Sequence, residues 1–429
     1  MNKRYIGLLL QLILLASCAQ QKNNALITNI QANTIQVNGK PFFIKGMNWS
    51  YSPIGTNYEY SLWQQPEEII KTALDQDIPR LKQIGINTLR IYTGIPAKWI
   101  EYLYDHYGIY TVLNHSFGRY GVMLDTTWNP TTDYGDSLSQ KVLLEETASL
   151  AQIYKNTQGL LMYLLGNENN YGLYWDGGET ENIPTMKKTD QRAHHLYALF
   201  NRASLLIKTI DSTHQVAICN GDLGYLDLIA TECPDIDVLG INIYRGISFG
   251  EAFQEVNKKY NKPVMFTEFG ADAYNSKNKE EDQSSQAEYL LNNWKEIYQN
   301  AAGQGKSGNC IGGFTFQWSD GWWKTGQTIN LDKHDSTASW SNGGYKNDFI
   351  KGQNNMNEEW FGVCAKRFNN SDGIYVVTPR AAYYILQEVH KLDPYQKDLR
   401  PEQLNMEFSK IQISEAIKKA EIYQDKTKY

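Results

Sequence analysis

The chain has 429 residues and a formal net charge of −6, from 41 basic and 47 acidic side chains. With no basic run in its body, nothing gives a nucleic-acid partner electrostatic support. The length is large for one domain but ordinary for an α/β barrel with insertions. Aromatic residues make up 13%, with 29 Tyr and 11 Trp, many of them beside Gly, Asn and Asp. Core packing alone would favour Phe and Leu. The surplus of Tyr and Trp in loops suggests stacking platforms with polar tips, and sugar rings are a natural ligand for those.

Lys3 and Arg4 precede the apolar run Ile6 to Leu15, the shape of a secretory leader over residues 1–17. Its ending, Leu15-Ala16-Ser17-Cys18, resembles a bacterial lipoprotein box. That resemblance implies cleavage before Cys18, acylation of its thiol and a stable anchor in a bacterial envelope membrane, facing the periplasm or the cell surface. Residues 18–24 then form the lipidated cysteine and a polar linker. No later stretch is long and apolar enough to span a bilayer.

Around Asn38-Gly39 the sequence TIQVNGKPFFIKGMN alternates like a β-hairpin, its second arm running into a first strand, Phe42 to Met47. Strands and helices then alternate. The expected order is a helix near Ile78–Ile84, strand Asn87–Tyr92, a helix around Trp99–His106 opened by Pro96 and ended by Gly108, and strand Ile109–Asn114. A helix over Leu138–Asn156 shows Leu143, Thr147, Leu150 and Tyr154 on one face, and the continuous apolar run Leu160–Leu165 reads as a fourth strand buried on both sides. Helix Met186–Ile210, strand Gln215–Asn220, helix Leu223–Thr231 and the strand DVLGINIY come next. Helix Phe249–Tyr260, strand PVMFTE, helix Ser284–Asn300 and strand IGGFTFQW complete the set. Thr378-Pro379 is expected to cap a final helix with Ala382, Ile385, Leu386 and Val389 inward.

Eight such strands predict a (β/α)8 barrel over residues 25–395, with an N-terminal hairpin and a long Trp/Gly-rich insertion after the eighth strand. A doubly wound open sheet would want a glycine-rich phosphate loop after an early strand, and none is present. In the tail, residues 396–429, Leu404, Met406 and Phe408 alternate like a strand, while Leu404, Phe408 and Ile411 fit a helix equally well.

Barrels of this kind place chemistry at the C-terminal ends of their strands. Here those ends carry Asn48 and Trp49, Arg90 and Tyr92, Asn114 and His115, Asn167 and Glu168, Asn220 and Asp222, Asn242 and Tyr244, Glu268, and Gln317, Trp318 and Asp320. Two glutamates suit glycosidic cleavage, which needs one carboxylic acid to protonate the leaving oxygen and one carboxylate to attack or steer water. An Asn-Glu dipeptide alone usually marks a turn or a helix start, and the joint placement of both glutamates with Arg90 and Trp318 is what makes the pattern specific. Asp222 and Asp320 read as loop caps.

Asn167-Glu168 after the fourth strand and Thr267-Glu268-Phe269-Gly270 after the seventh resemble the clan of retaining (β/α)8 glycoside hydrolases, most closely the catalytic barrel of glycoside hydrolase family 2. RLKQIGINTLRIY and FTFQWSDGWWK add to the match, which runs from about Phe42 to Pro394. The resemblance implies an acid/base at Glu168 and a nucleophile at Glu268 held ionised by Arg90 and Tyr244. It further implies a 2-OH ligand at Asn167, a subsite floor at Trp318, and contacts from Asn114 and His115 to other hydroxyls. It implies retaining hydrolysis of β-O-glycosidic bonds in an oligo- or polysaccharide, without a cofactor. A β-glucan-type transglycosylase and a non-catalytic glycan-binding lipoprotein are the alternatives.

Trp322, Trp323, Trp340 and Trp360 in the insertion Ser319–Thr378 are expected to wall the cleft, or else to fill a small core of their own; Asn169, Tyr171 and Trp175 carry the same two readings. Of the cysteines after Cys18, Cys219 and Cys310 fall in or beside strands as buried thiols. With Cys233 and Cys364 they would allow three disulfide connectivities. Seven scattered His and no zinc-like spacing predict no metal.

Overall fold

The computed structural model describes residues 27–92, 94–174, 185–324, 326–369 and 373–426. The expected leader, Cys18, the linker and Trp175 lie outside them. Eight parallel strands close into a barrel: Ile44–Asn48, Thr88–Ile91, Tyr110–His115, Leu160–Leu165, Gln215–Gly221, Val238–Asn242, Val264–Phe269 and Cys310–Thr315, called the first to the eighth below. The last pairs with the first and the fourth with the fifth, so no edge is left open.

The fourth strand explains its own composition. Leu161, Met162 and Leu164 pack inside the barrel with Val112, Ala217, Val238, Met265 and Phe314, while Leu160, Tyr163 and Leu165 face the helix layer. A strand with an apolar environment on both sides has no polar positions to alternate with. Each such side chain contributes about 1.5–3 kcal/mol by leaving water.

The helices are cut at their ends by local chemistry. Asp136 accepts from Ser139 N at 2.7 Å at the start of Ser137–Tyr154, and Asp282 does the same for Ser285 at the start of Gln283–Gln299. Each cap contributes about 1 kcal/mol. Gly108 ends Ala97–Tyr107 in the left-handed conformation, φ +62, where a side chain would be strained. The expected inward faces of Ser137–Tyr154 and Ala381–Val389 are buried, with Leu150 only partly so, and Thr185–Ile210 buries Ala193, Leu196, Tyr197, Phe200, Ser204 and Ile207.

The hairpin forms as expected, Thr34–Val37 against Lys40–Phe42, with a further strand, Thr28–Gln31, completing a three-stranded sheet. Ile35 and Val37 enter the barrel interior from the N-terminal ends of the strands, and Thr28 N donates to Thr213 O at 2.9 Å just before the fifth strand. The sheet therefore plugs the bottom of the barrel, opposite the strand ends that carry the candidate residues.

Three assignments differ from expectation by more than a few residues or in kind. The helix expected at Ile78–Ile84 spans Glu67–Gln83 and runs straight through Pro79, a residue that normally marks a helix end. Thr378 and Pro379 belong to strand Tyr375–Pro379, which pairs with Cys364–Phe368; Arg380 is the cap and the helix starts at Ala381. In the tail the helical spacing wins. Leu404 and Phe408 of Pro401–Ser409 are buried and Met406 is exposed, with Phe408 packing on Tyr298 at 5.5 Å; a second helix, Ile413–Lys426, follows. Among the described residues no helix is long and apolar enough to cross a membrane, and Cys219, Cys233, Cys310 and Cys364 are buried free thiols.

Candidate active site

The centre of the barrel mouth is a buried guanidinium. Arg90, at the end of the second strand, donates from Nη1 to Glu268 Oε1 at 2.8 Å, from Nη2 to Asn167 Oδ1 at 2.8 Å, and from both Nε and Nη2 to Asn114 Oδ1 at 3.0 and 2.8 Å. It also reaches Thr267 O at 3.1 Å. One fully buried side chain thus joins the ends of the second, third, fourth and seventh strands. An unpaired charge there would be costly, and this one is offset by the Glu268 anion and by neutral oxygens of Asn114, Asn167 and Thr267.

Glu268 receives two more donors: Tyr92 OH to Oε1 at 2.7 Å and Tyr244 OH to Oε2 at 2.9 Å. Burial, reinforced by the Glu268 charge, pushes both phenols well above their ordinary value, so they keep their protons and donate. A register shift between the sixth and seventh strands sets Asn242 beside Glu268. Three donors thus converge on one buried carboxylate.

Glu168 is placed by a sharp turn. The fourth strand ends at Gly166, φ +83, where a Cβ would come within 2.6 Å of Asn169 Oδ1 and 2.7 Å of the Phe200 ring. Glu168 itself has φ +58, in the left-handed region, held there by its N–H on Cys219 O at 3.1 Å and its carbonyl accepting from Tyr171 N at 3.0 Å. Such a conformation costs a bulky residue about 1–2 kcal/mol and tends to occur at functional positions. Its carboxyl is pushed up to about 7, first by burial and then by the Glu268 charge, against the opposing pull of Asn242, Arg119 and Arg90. The two glutamates feel each other across the mouth of the barrel.

Asn167 sits between them. Its Oδ1 accepts from Arg90 and, at 3.0 Å, from Asn242 Nδ2, while its Nδ2 donates to Tyr120 OH at 2.8 Å. The second Nδ2 hydrogen is left for a ligand hydroxyl. Asn169, expected as wall or filler, is filler: it is buried, donating to Phe117 O at 2.9 Å and Tyr134 OH at 2.7 Å. Tyr171 is exposed, its ring against Gly221.

Three expected sugar contacts are placed elsewhere. Trp318 is 1% exposed and packs 6.2 Å from Tyr383 of the last barrel helix. The reason is backbone pairing: the strand stops at Thr315, Trp318 N donates to Asn48 O, and Cys364 N donates to Trp318 O, which turns the indole into the outer layer. Phe316, half-buried and 6.2 Å from the Tyr244 ring, is the aromatic just past the eighth strand that borders the site. Asn114 is buried and saturated, accepting from Arg90 and donating to Leu164 O at 3.1 Å and Gly166 O at 2.8 Å. It holds the guanidinium rather than a sugar. His115 is turned to Glu146 at 3.4 Å, with its Nδ1 accepting from Phe117 N at 3.2 Å. Asp222 and Asp320 are structural: Asp222 pairs with Arg245, and Asp320 is gripped by Arg380 at 2.6 and 2.7 Å.

The insertion divides between the two readings given to it. Trp322 and Trp360, both half-buried, stack on His334 within the insertion, with centroids 4.9 and 3.9 Å away. Trp340 stacks on Phe361 and meets the Tyr244 ring edge at 6.2 Å, so it backs a residue that touches Glu268. Trp323 is half-buried against Tyr58 at 6.0 Å.

Sequence reasoning named Tyr92 and Asn242 as strand-end candidates but gave them no role; Tyr92 binds Glu268 and Asn242 binds Asn167. It also missed Tyr120, Phe316 and Glu358. Glu358 is half-buried in the insertion; burial raises its carboxyl, and the nearby Glu268 charge adds to the rise. Among the described residues no cluster of three His, Cys, Asp or Glu could hold a metal.

Known proteins share this architecture. The β-glucuronidases of Bacteroides uniformis and Dictyoglomus thermophilum superpose with a TM-score of 0.54 each, at 14% and 18% identity, over 87% of this chain. The chain spans 37% and 55% of their lengths, and at such identities the likeness is one of fold. A 1,3-beta-glucanosyltransferase of Saccharomyces cerevisiae is 27% identical over 253 residues, 54% of this chain and about half, 49%, of the relative. The model of the glycosyl hydrolases family 2 TIM barrel domain matches residues 28–307, more than half of the sequence. By that match, on a closed eight-stranded parallel barrel, the chain belongs to glycosyl hydrolase family 2 through its TIM barrel domain.

Proposed function

We propose that this protein is a retaining β-glycosidase acting by double displacement, with Glu268 as nucleophile and Glu168 as acid/base. One observation carries the reading: two neighbouring carboxyls in opposite environments. Glu268 has three donors aimed at it, whereas Glu168 is pushed up to about 7. Such a split assigns base-like and acid-like roles. In the first step a Glu268 oxygen attacks the anomeric carbon, the bond to the leaving oxygen breaks, and the Glu168 proton passes to that oxygen. In the second, the Glu168 carboxylate takes a proton from an incoming hydroxyl, whose oxygen replaces Glu268 on the anomeric carbon. Asn167 Nδ2 contributes a hydrogen bond to the adjacent sugar hydroxyl.

The site's charges favour an uncharged sugar. The Glu268 charge is felt by both Glu168 and Glu358, and the Arg90 guanidinium is buried and occupied. A screen of p-nitrophenyl β-glycosides, with the first-formed anomer read by NMR, tests both claims. Expected are β-configured initial products and neutral glycosides cleaved at least about tenfold faster than the glucuronide, a difference of about 1.4 kcal/mol. Initial α-product rules out retention, and preference for the glucuronide rules out the charge argument.

If the incoming hydroxyl belongs to a sugar rather than water, the same steps give transfer. The relative named as a 1,3-beta-glucanosyltransferase favours keeping that second reading. Products longer than the donor, in incubations with β-glucan oligosaccharides, distinguish it from hydrolysis.

The same proposal places the enzyme, one catalytic domain over residues 25–395, at a bacterial envelope membrane through acylated Cys18. Radiolabelled palmitate should enter the wild type and not Cys18→Ser. Equal labelling of both removes the anchor from the proposal.

A further inference from the structure

The connection between the third strand and its helix carries a structure of its own. Val122–Leu124 pairs with Thr127–Asn129 in a short hairpin, with Met123 directly opposite Trp128. Val122 is buried and anchors the hairpin, whereas Met123 and Trp128 are 47% and 54% exposed. The Trp128 indole lies over Gly121, where a Cβ would come within 2.6 Å of its ring. The residue before, Tyr120, is 58% exposed, yet its hydroxyl accepts from Asn167 Nδ2 at 2.8 Å. Arg119 lies 5.6 Å from the Tyr120 ring centroid. Two exposed aromatics thus flank Gly121: a phenol tied by its hydroxyl to the amide next to Glu168, and an indole lying against the glycine that follows it.

Single exposed aromatics need no explanation. Two on either side of one glycine, the first hydrogen-bonded to Asn167 and the second on the hairpin that follows it, are a different matter. The C–H face of a pyranose is apolar and packs flat on a π surface, while its hydroxyls stay at the edge in water. Tyr and Trp offer that combination of broad apolar face and polar tip.

We propose that Tyr120 and Trp128 form a subsite for a second, neutral sugar ring, contiguous with the ring held at Glu168 and Glu268, so that the natural substrate is an oligosaccharide. The inference rests on the glycosidase reading and adds the substrate's length to it.

Trp128→Ala tests it. Its kcat/KM on a p-nitrophenyl monoglycoside should stay within about twofold of wild type. On the matching series of oligosaccharides it should fall about tenfold, chiefly in KM. Trp128→Tyr, which keeps an aromatic face, should recover most of the loss, as a merely structural role for the indole would not. Equal effects on both substrate types, or none on either, overturn the subsite. Should the wild type cleave no glycoside at all, the glycosidase reading fails by itself. Oligosaccharide binding measured by calorimetry then decides the subsite: about tenfold weaker in Trp128→Ala supports it, and unchanged affinity overturns it.

Discussion

Glu268→Gln should lower kcat on an aryl β-glycoside by on the order of 10⁴-fold or more, leaving oligosaccharide binding close to wild type. An amide of the same shape cannot attack the anomeric carbon, yet its Oε1 still accepts from Arg90 and Tyr92, so the pocket keeps its form. The substitution also removes the anion from a buried ion pair. Arg90 is then left with neutral acceptors only, and thermal unfolding should move down by the equivalent of up to about 3 kcal/mol. The two readouts are independent. Wild-type turnover in this variant would dismiss Glu268 as nucleophile whatever happens to stability. A raised melting temperature would mean that the Arg90 charge is not held by Glu268.

The second large effect is expected at Glu168. Glu168→Ala should slow cleavage of an unactivated glycoside by about 10²–10⁴-fold, the usual range for general acid catalysis. A dinitrophenyl glycoside, whose leaving group needs no proton, should suffer much less at the first step. The pH profile supplies the sign. Glu168 must carry its proton to act as acid, and its carboxyl loses that proton near pH 7, so wild-type kcat/KM should decline as pH rises past about 7. Glu168→Ala should lack that limb. Stability follows the same direction: a carboxyl raised in the folded state stabilises fully below its unfolded value, and that contribution is lost as pH rises through about 7. An alkaline limb that persists unchanged in the variant assigns the acid to another residue.

Much of the barrel was legible because its strands sit between two apolar layers and read as short continuous runs. Leu160–Leu165 is the clearest case, and the expected and observed limits coincide. Helix starts were less legible where a breaker is tolerated, as at Pro79, or where Pro closes a strand instead of opening a helix, as at Pro379. At the site, strand ends pointed to positions but not to side-chain direction. Asn114 and Trp318 occupy expected places and turn into the scaffold, because the partners that claim them, Arg90 and Cys364, are distant in sequence. Tyr120 and Glu358 gave no periodic signal at all. They come from irregular loops whose contribution depends on where the barrel brings them.

The plug beneath the barrel has a topographic consequence. Ile27 leaves the described fold at the floor, where its carbonyl accepts from Asn38 N at 3.0 Å, while both glutamates open at the roof. On the proposal that Cys18 is acylated, the lipid would join the described fold from its closed end, leaving the cleft on the opposite side. Long glycans lying beyond the headgroups could then enter without the membrane obstructing either end of the chain.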